Sequence, residues 1–555
     1  MMRRSLLGFI VGLLLICAVY AAIIFTVPNP EVANLPYYTF RTLLRIAVTY
    51  IIALVFGLFF GILAACNKTA STILVPLFDV LQSIPILGYF PAAVIFFVSG
   101  FPGGEMGKEL AAMLLLFTSM EWAIFFGIIG AVKSIPANIV EVAEVFGLKG
   151  LTYIRHVTMP AIVPALISAS TLAWGDGWFF IIAAEYITYG GQPYALPGIG
   201  AFLAKAAYEY GDLRLSVAIL ILMTSIVLYL NFLTWHRLTE RAGTETYKPV
   251  LKLDLSSLQR SLHLRKLRVK WLHLPRLHLS FRFRHVILPA SKPKRYTHQE
   301  RIVASVSGVL IIVFIILALT GTIPSFEHII ESLDVPEMSF LPLYTISTLS
   351  RMIVAYFISL TIAIAMGVLA AENKKFAMIF YPIYDIGQSI PILALFPVLF
   401  LSLSSIFGGR AGLEITSITM LVADMIWYLF LNIVGAVKTI PEEIREVGRI
   451  FGFKGLNRIR HIVLPAITPA IVTGSMLSWA TGWNTVIFSE YMPYGKEVFS
   501  LPGLGYFLDK AAYVYGNTIL LVFLLTIVSA LVILVDRFVW RRLLLKFEKY
   551  KIEVF

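Results

Sequence analysis

Residues 133–164 read KSIPANIVEVAEVFGLKGLTYIRHVTMPAIVP, and residues 438–469 read KTIPEEIREVGRIFGFKGLNRIRHIVLPAITP. Lys, Ile-Pro, Glu, Phe-Gly, Lys-Gly, Ile-Arg-His and two later prolines recur at one offset of 305 residues. Each copy is amphipathic and charged, yet each sits between long apolar runs. Each must therefore be a water-exposed loop of a chain that otherwise crosses a bilayer. Pro136 and Pro441 open the two copies, where a missing N–H costs little in the first turn of a helix. Gly147 and Gly452 permit the left-handed or tightly packed turn at which that short helix ends.

Composition agrees with the loops. The 555 residues are 59% hydrophobic and 14% charged, with a mean hydropathy of +0.84, more apolar than a soluble domain of this length. The apolar residues fall in runs of about 20, the length that spans a bilayer. Twelve spans are expected, six per half, with the fold class all-α and polytopic. The first six lie near 5–26, 42–65, 72–99, 110–131, 158–185 and 213–235. The second six lie near 302–321, 346–370, 376–402, 413–435, 463–490 and 517–540. A cytoplasmic N-terminus places most of the Lys and Arg inside, including Lys68, Lys133, Lys149, Arg155, Lys374, Lys438 and Arg541, and puts both charged loops and the C-terminus there too. Arg3-Arg4 before an apolar run also fits a cleavable export signal ending near Ala21. The run continues past 20 residues and is matched by 302–321, so a retained anchor is expected. Cys17 and Cys66 sit at different places on this topology and imply neither a disulfide nor a metal site.

The repeat extends through both halves. Tyr38, Thr42 and Arg45 match Tyr344, Thr348 and Arg351, and Gln82-Ser83-Ile84-Pro85-Ile86-Leu87 recurs as Gln388-Ser389-Ile390-Pro391-Ile392-Leu393. Trp174 with Trp178 matches Trp479 with Trp483, and Leu196-Pro197-Gly198 matches Leu501-Pro502-Gly503. An even number of spans per unit gives both copies the same orientation, so the symmetry axis runs along the membrane normal. The expected organisation is one unit over 1–236, a linker over 237–301 and a second unit over 302–555.

The third span of each half is the least ordinary. Pro76, Asp79, Gln82, Pro85 and Pro91 in one, and Pro382, Asp385, Gln388, Pro391 and Pro397 in the other, leave backbone carbonyls that lipid cannot satisfy. A path-lining role for Gln82, Ser83, Pro85, Gln388, Ser389 and Pro391 is expected, with a kinked packing helix as the alternative. Trp174, Trp178, Trp479 and Trp483 are candidates to stack on a solute or to pack helices. Ionisable groups inside spans are costly and mark function by default. Glu185 and Glu490 end the fifth spans, where an interfacial carboxylate is the favoured reading, whereas Glu121 and Asp424 each occur in one half only. Arg45 and Arg351 are read as interfacial anchors or as an outer attraction for anions.

The linker holds sixteen Lys and Arg against Glu240, Glu245, Asp254 and Glu300, a net of +12 of the chain's +13. Residues 262–284 alternate apolar and basic types, a period of two rather than a helical one. Contact with anionic headgroups is expected, ahead of simple tethering and of nucleic-acid binding. No GxxxxGK(S/T) phosphate loop is present. The nearest string, Gly103 to Lys108, lacks the first glycine and is followed by Glu109. No catalytic triad, paired-carboxylate site or metal cluster stands out, so ATP hydrolysis by this chain is not expected.

The doubled loop resembles the EAA signature of importer permeases of the ATP-binding cassette class. One copy supplies Glu141, Ala143, Gly147, Val157, Met159 and Pro160, and the other Glu446, Gly448, Gly452, Ile462, Leu464 and Pro465. Val142 and Val447 stand where that family often has Ala. The resemblance implies a type I importer fold with both permease halves in one polypeptide, in the plasma membrane of a prokaryote. It implies a cytoplasmic coupling helix in each half, contacting two ATPase subunits that bind ATP and Mg, and an extracytoplasmic substrate-binding protein. The QSIPIL run and its downstream Phe-Pro are similar to the nitrate, taurine, sulfonate and bicarbonate branch, which implies a small anion as cargo. A 6+6 secondary transporter accounts for the parallel repeat but not for the doubled loop, and a membrane scaffold accounts for neither.

Overall fold

The computed structural model describes residues 2–27, 29–83, 85–86, 93–94, 96–98, 104–189, 192–235, 238, 331–494 and 497–547. The basic linker, apart from residue 238, and the span expected at 302–321 lie outside the described residues.

The first half begins with α1 (Met2–Thr26) and α2 (Leu35–Cys66), followed by α3 (Lys68–Ser83) and α4 (Gly104–Lys133). The short α5 (Ala137–Val145), the long α6 (Met159–Glu185), α7 (Ile199–Ala204) and α8 (Leu213–Leu233) complete it. The second half repeats the order from its second span: α9 (Leu341–Glu372), α10 (Lys374–Ser389), α11 (Ile392–Phe407), α12 (Gly409–Lys438), α13 (Glu442–Ile450), α14 (Leu464–Glu490), α15 (Leu504–Asp509) and α16 (Thr518–Val535). Among the described residues, eight helices are long and apolar enough to cross a membrane, with shorter apolar helices beside them. This is a two-repeat, all-α polytopic architecture.

Small residues let the helices approach. Ala53, Gly57 and Gly61 form a buried stripe at four-residue spacing on α2, and Ser359, Ala363 and Gly367 form its counterpart on α9. A Cβ added to Gly57 would lie 2.6 Å from Ile124 on α4, and one on Gly367 would lie 2.7 Å from Ile433 on α12. Lipid offers no hydrophobic drive for helices to associate, so close van der Waals contact of this kind must supply it. The opposite faces of α2 and α9 expose Ile51, Val55, Phe59, Ile353 and Phe357, as a lipid-facing surface requires. Each half has its own large hydrophobic core. The halves then interlock, with α6 and α8 packing on α10 and α11, and α3 packing on α16.

The third spans, expected over 72–99 and 376–402, are the proline-rich ones. In the second half the chain forms two helices, α10 and α11, separated at Ile390-Pro391. In the first half α3 ends at Ser83, just before Pro85. A proline lacks the N–H needed to continue the ladder, and the residue before it is pushed to extended geometry; Ile390 has φ −83° and ψ 122°. Two β-hairpins also appear that no alternation in the sequence announced. Tyr186–Tyr189 pairs with Gln192–Ala195 as β1 and β2, and Tyr491–Tyr494 pairs with Glu497–Ser500 as β3 and β4. They cap the ends of α6 and α14. At about 1.5 Å per residue α6 is roughly 40 Å long, so the hairpins and the α5 and α13 loops lie at opposite ends of the bundle.

Candidate functional site

Three arrangements carry the polar chemistry of this bundle. The first is the pair of short helices that the sequence singles out. α5 closes with Phe146 and Gly147. The Leu148 N–H donates to the Ala143 carbonyl at 2.9 Å, and the Gly147 N–H donates to that of Glu144 at 2.9 Å. α13 closes the same way, from Phe453 to Gly448 at 2.9 Å and from Gly452 to Arg449 at 3.0 Å. This double bond is the Schellman closure, which places a left-handed residue after the helix. Gly147 has φ +67° and Gly452 has φ +69°, and a Cβ on either meets nothing within 4 Å. Within this chain the glycines are thus needed for backbone conformation.

The small residues Ala143 and Gly448 are buried. A Cβ on Gly448 would lie 2.0 Å from Ile462 Cδ1, so this position packs the short helix onto the stretch of chain that follows it. The exposed apolar residues are others: Val145 is 86% exposed, Phe146 76%, Ile450 82% and Phe451 71%. Glu141 and Glu446 are exposed beside them. The sequence shows these valine, isoleucine and phenylalanine positions, but an amphipathic pattern does not say which apolar residues turn outward.

The second arrangement lies at the hairpin end and is present twice. Arg45 is buried and donates to Glu109 from Nε at 2.7 Å and from Nη2 at 2.8 Å, and it also pairs with Glu185. Thr42 donates to Glu185 Oε1 at 2.6 Å, and the Gly200 N–H donates to Oε2 at 2.8 Å. In the second half Arg351 donates to Glu414 at 2.7 and 2.9 Å and to Glu490 at 2.7 Å. Thr348 donates to Glu490 at 2.8 Å, and the Gly505 N–H donates to it at 2.8 Å. The Cβ of an alanine at Gly198 or Gly503 would sit 2.1 Å from the glutamate carboxylate. Only a glycine lets the chain pass there.

This corrects two expectations. Glu185 and Glu490 are 0% exposed, so they are countercharges buried in protein and not carboxylates facing water. Arg45 and Arg351 are engaged by two glutamates each, which leaves no free charge to attract an anion. Sequence reasoning missed Glu109 and Glu414 although they share the 305-residue offset, and that offset was the signal that could have found them. A second tie lies beside each clamp, Lys205 with Glu31 at 3.9 Å and Lys510 with Glu337. The hydrogen bond to Glu337 holds the Lys510 ammonium well above the ordinary lysine range.

The third arrangement is a cavity of about 80 Å³ between the halves. α6 supplies Thr171, Asp176 and Phe179, α10 supplies Tyr384 and Gln388, α12 supplies Asp424, Trp427 and Tyr428, and α14 supplies Thr481 and Asn484. Tyr428 donates to Asp176 Oδ1 at 3.1 Å, across the two halves. Thr485 donates to Asp424 Oδ2 at 2.6 Å, and Tyr384 donates to Gln388 Oε1 at 2.6 Å. The Ile86 N–H, just past Pro85, donates to Asn484 Oδ1 at 2.8 Å and seats the broken third span of one half on the other. Pro85 and Pro391 are buried, and Gln82 is half-buried. Ser83 and Ser389 end their helices, and their side chains lie outside what is described.

Of the expected path residues whose side chains are described, Gln388 lines this cavity. The four tryptophans lie elsewhere. Trp174 packs against Tyr50 and Trp235 with centroids at 5.7 and 6.2 Å, and Trp479 packs against Tyr356 and Trp540 at 5.9 and 6.0 Å. Trp178 and Trp483 are in the cores of their halves. Glu121 is buried on α4 against α2, with neither carboxylate oxygen hydrogen-bonded among the described residues, and it does not reach the cavity. Asp176 was missed because its counterpart at 481 is Thr, so the repeat gave it no emphasis.

A duplicated helical bundle with a polar cavity between its repeats and a mirrored short helix at one end is a membrane permease architecture. The chain belongs to the family of binding-protein-dependent transport system inner membrane components, whose model matches twice, over 57–241 and 359–543. The chain is 31% identical over 192 residues to a nitrate import permease protein of Leptolyngbya laminosa, covering 35% of this chain and 63% of the relative. It is 28% identical over 197 residues to a bicarbonate transport system permease protein of Synechococcus elongatus, covering 36% and 66%. A taurine transport system permease protein of Escherichia coli is 26% identical over 169 residues, covering 30% and 56%. The chain thus spans just under two thirds of these relatives, or less.

Proposed function

We propose that this chain is the membrane subunit of an ATP-driven importer, with both permease halves fused, in the plasma membrane of a prokaryote. The observation that carries this reading is the mirrored pair α5 and α13, each a short, exposed helix with an unpartnered apolar tip. Such a tip needs a protein partner, and the doubled EAA-like pattern makes that partner a pair of cytoplasmic ATPase subunits supplying ATP and Mg. Glu141, Ala143, Gly147, Glu446, Gly448 and Gly452 build the two docking helices: the glycines at 147 and 452 set the turn, and Ala143 and Gly448 hold each helix against the bundle. An extracytoplasmic binding protein would meet the hairpin end. Closure of the ATPases would draw α5 and α13 together and turn the cavity outward through α6 and α14, the helices that join the docking end to the hairpin end. Nitrate, bicarbonate and taurine, named for the relatives, are the first solutes to test.

Replacing the apolar tips with acids, Phe146→Asp together with Phe451→Asp, should abolish co-purification with the ATPase subunits while leaving the chain in the membrane. Retained co-purification and solute-stimulated ATP hydrolysis would overturn the reading. The linker over 237–301 is proposed to lie on anionic headgroups, where each Lys or Arg contributes about 1 kcal/mol, screened by salt. Its protection from protease in anionic but not neutral bilayers, lost as salt rises, is the matching check.

A further inference from the structure

The cavity between the halves combines two acids with aromatic walls and no base. Asp176 and Asp424 both line it, and its described lining contains no Lys, Arg or His. Ile86 reaches the cavity wall at Asn484, and the sequence around it, residues 69–103, contains none either. Asp424 is 6% exposed. It takes a hydroxyl from Thr485, and Asp176 takes one from Tyr428, but neither is in an ion pair among the described residues. The contrast is with Glu185 and Glu490, whose burial is offset by an arginine each. A buried carboxylate with no countercharge is costly, and an entering cation relieves that cost. Phe179, Phe180, Tyr384, Trp427 and Tyr428 also line the cavity, and ring faces attract ammonium groups once water is removed.

The repeat does not impose this acidity. Asp176 corresponds to Thr481, and Asp424 corresponds to Ser119. Each half contributes one acid at a place where the other half has a hydroxyl, and interlocking of the halves brings both to one cavity. A bare anion would meet two acids there and no cation.

Resting on the importer reading, we propose that the solute accepted by this cavity bears a positively charged ammonium group, as an organic cation or a zwitterion, received by Asp176 and Asp424 against the aromatic walls. Of the solutes named for the relatives, nitrate and bicarbonate lack such a group and taurine has one. Asn484, Gln388 and Thr481 remain to meet the polar or anionic end of a zwitterion.

The test is thermal unfolding of the purified full chain in lipid nanodiscs, with choline chloride, taurine, sodium nitrate or sodium bicarbonate at matched ionic strength. Binding to the folded state raises the unfolding temperature in proportion to ln(1 + [L]/Kd). Choline or taurine should raise it in a saturable way, and Asp176→Asn and Asp424→Asn should each weaken the apparent affinity by about tenfold or more. Asp176→Glu, which keeps the charge, should retain part of the response. The proposal is overturned by a response to nitrate or bicarbonate with none to the ammonium compounds, by no response to any, or by one that survives both Asn substitutions. Since the chain is measured without an ATPase, a chain that binds choline but recruits no ATPase would overturn the importer and leave the cavity assignment standing.

Discussion

The hairpin-end clamp and the inter-half cavity are both built around acids held within the bundle, but the arginine, threonine and two glutamates of the clamp are mirrored and the acids of the cavity are not. Arg45, Thr42, Glu109 and Glu185 recur as Arg351, Thr348, Glu414 and Glu490 with nearly the same hydrogen bonds. Asp176 and Asp424 have no acidic counterparts. The clamp ties α2, α4, α6 and the α7 turn within one half, so each half must have its own. The cavity is shared, so one copy of each group suffices and the two halves are free to diverge around it. Duplication thus preserves what a half needs to fold and leaves variable what the pair uses together.

Breaking the clamp should have the largest effect. Arg45→Met or Arg351→Met leaves a fully buried glutamate, Glu185 or Glu490, without its cation, at about 3–5 kcal/mol for a broken buried pair, while Arg41 still meets Glu109 in the first half. Arg45→Met should cost no more than Arg351→Met, since Ser347 stands in the second half where Arg41 stands in the first; denaturant unfolding in detergent checks this, and a clearly larger loss at Arg45 would show that the mirrored geometry hides unequal loads.

A smaller and symmetric effect is expected at the docking helices. Gly147→Ala and Gly452→Ala force an L-residue into left-handed geometry, about 1–2 kcal/mol each, because no neighbour obstructs the new Cβ. Valine should cost more than alanine through its branched side chain alone, and equal tolerance of both in unfolding measurements would mean that the turn relaxes.

The smallest effect on stability belongs to the cavity. Asp176→Asn removes the charge of an acid that has no cationic partner but keeps an oxygen to accept from Tyr428, and it should change the unfolding free energy by less than about 1 kcal/mol. A loss as large as that at Arg45 would make Asp176 part of the scaffold and erase the contrast between the two regions.

Much of this molecule is legible in its residues alone. Runs of about 20 apolar residues imply membrane helices because lipid leaves backbone groups no other partner, and a constant offset implies two like units. The short helices at Ala137–Val145 and Glu442–Ile450, and the break at Ile390-Pro391, follow from local chemistry that proline and glycine state directly. The countercharges do not. Arg45 and Glu185 are 140 residues apart, and no local pattern says whether such groups meet lipid, water or each other. The same holds for the tryptophans, which pack on Tyr50 and Tyr356, and for Asp176, which meets Tyr428 across 252 residues. Sequence by itself determined the helices, their repeat and their turns, because these depend on neighbours along the chain. Which polar groups are paired and which face the cavity was decided by tertiary structure, because burial and countercharge depend on neighbours in space.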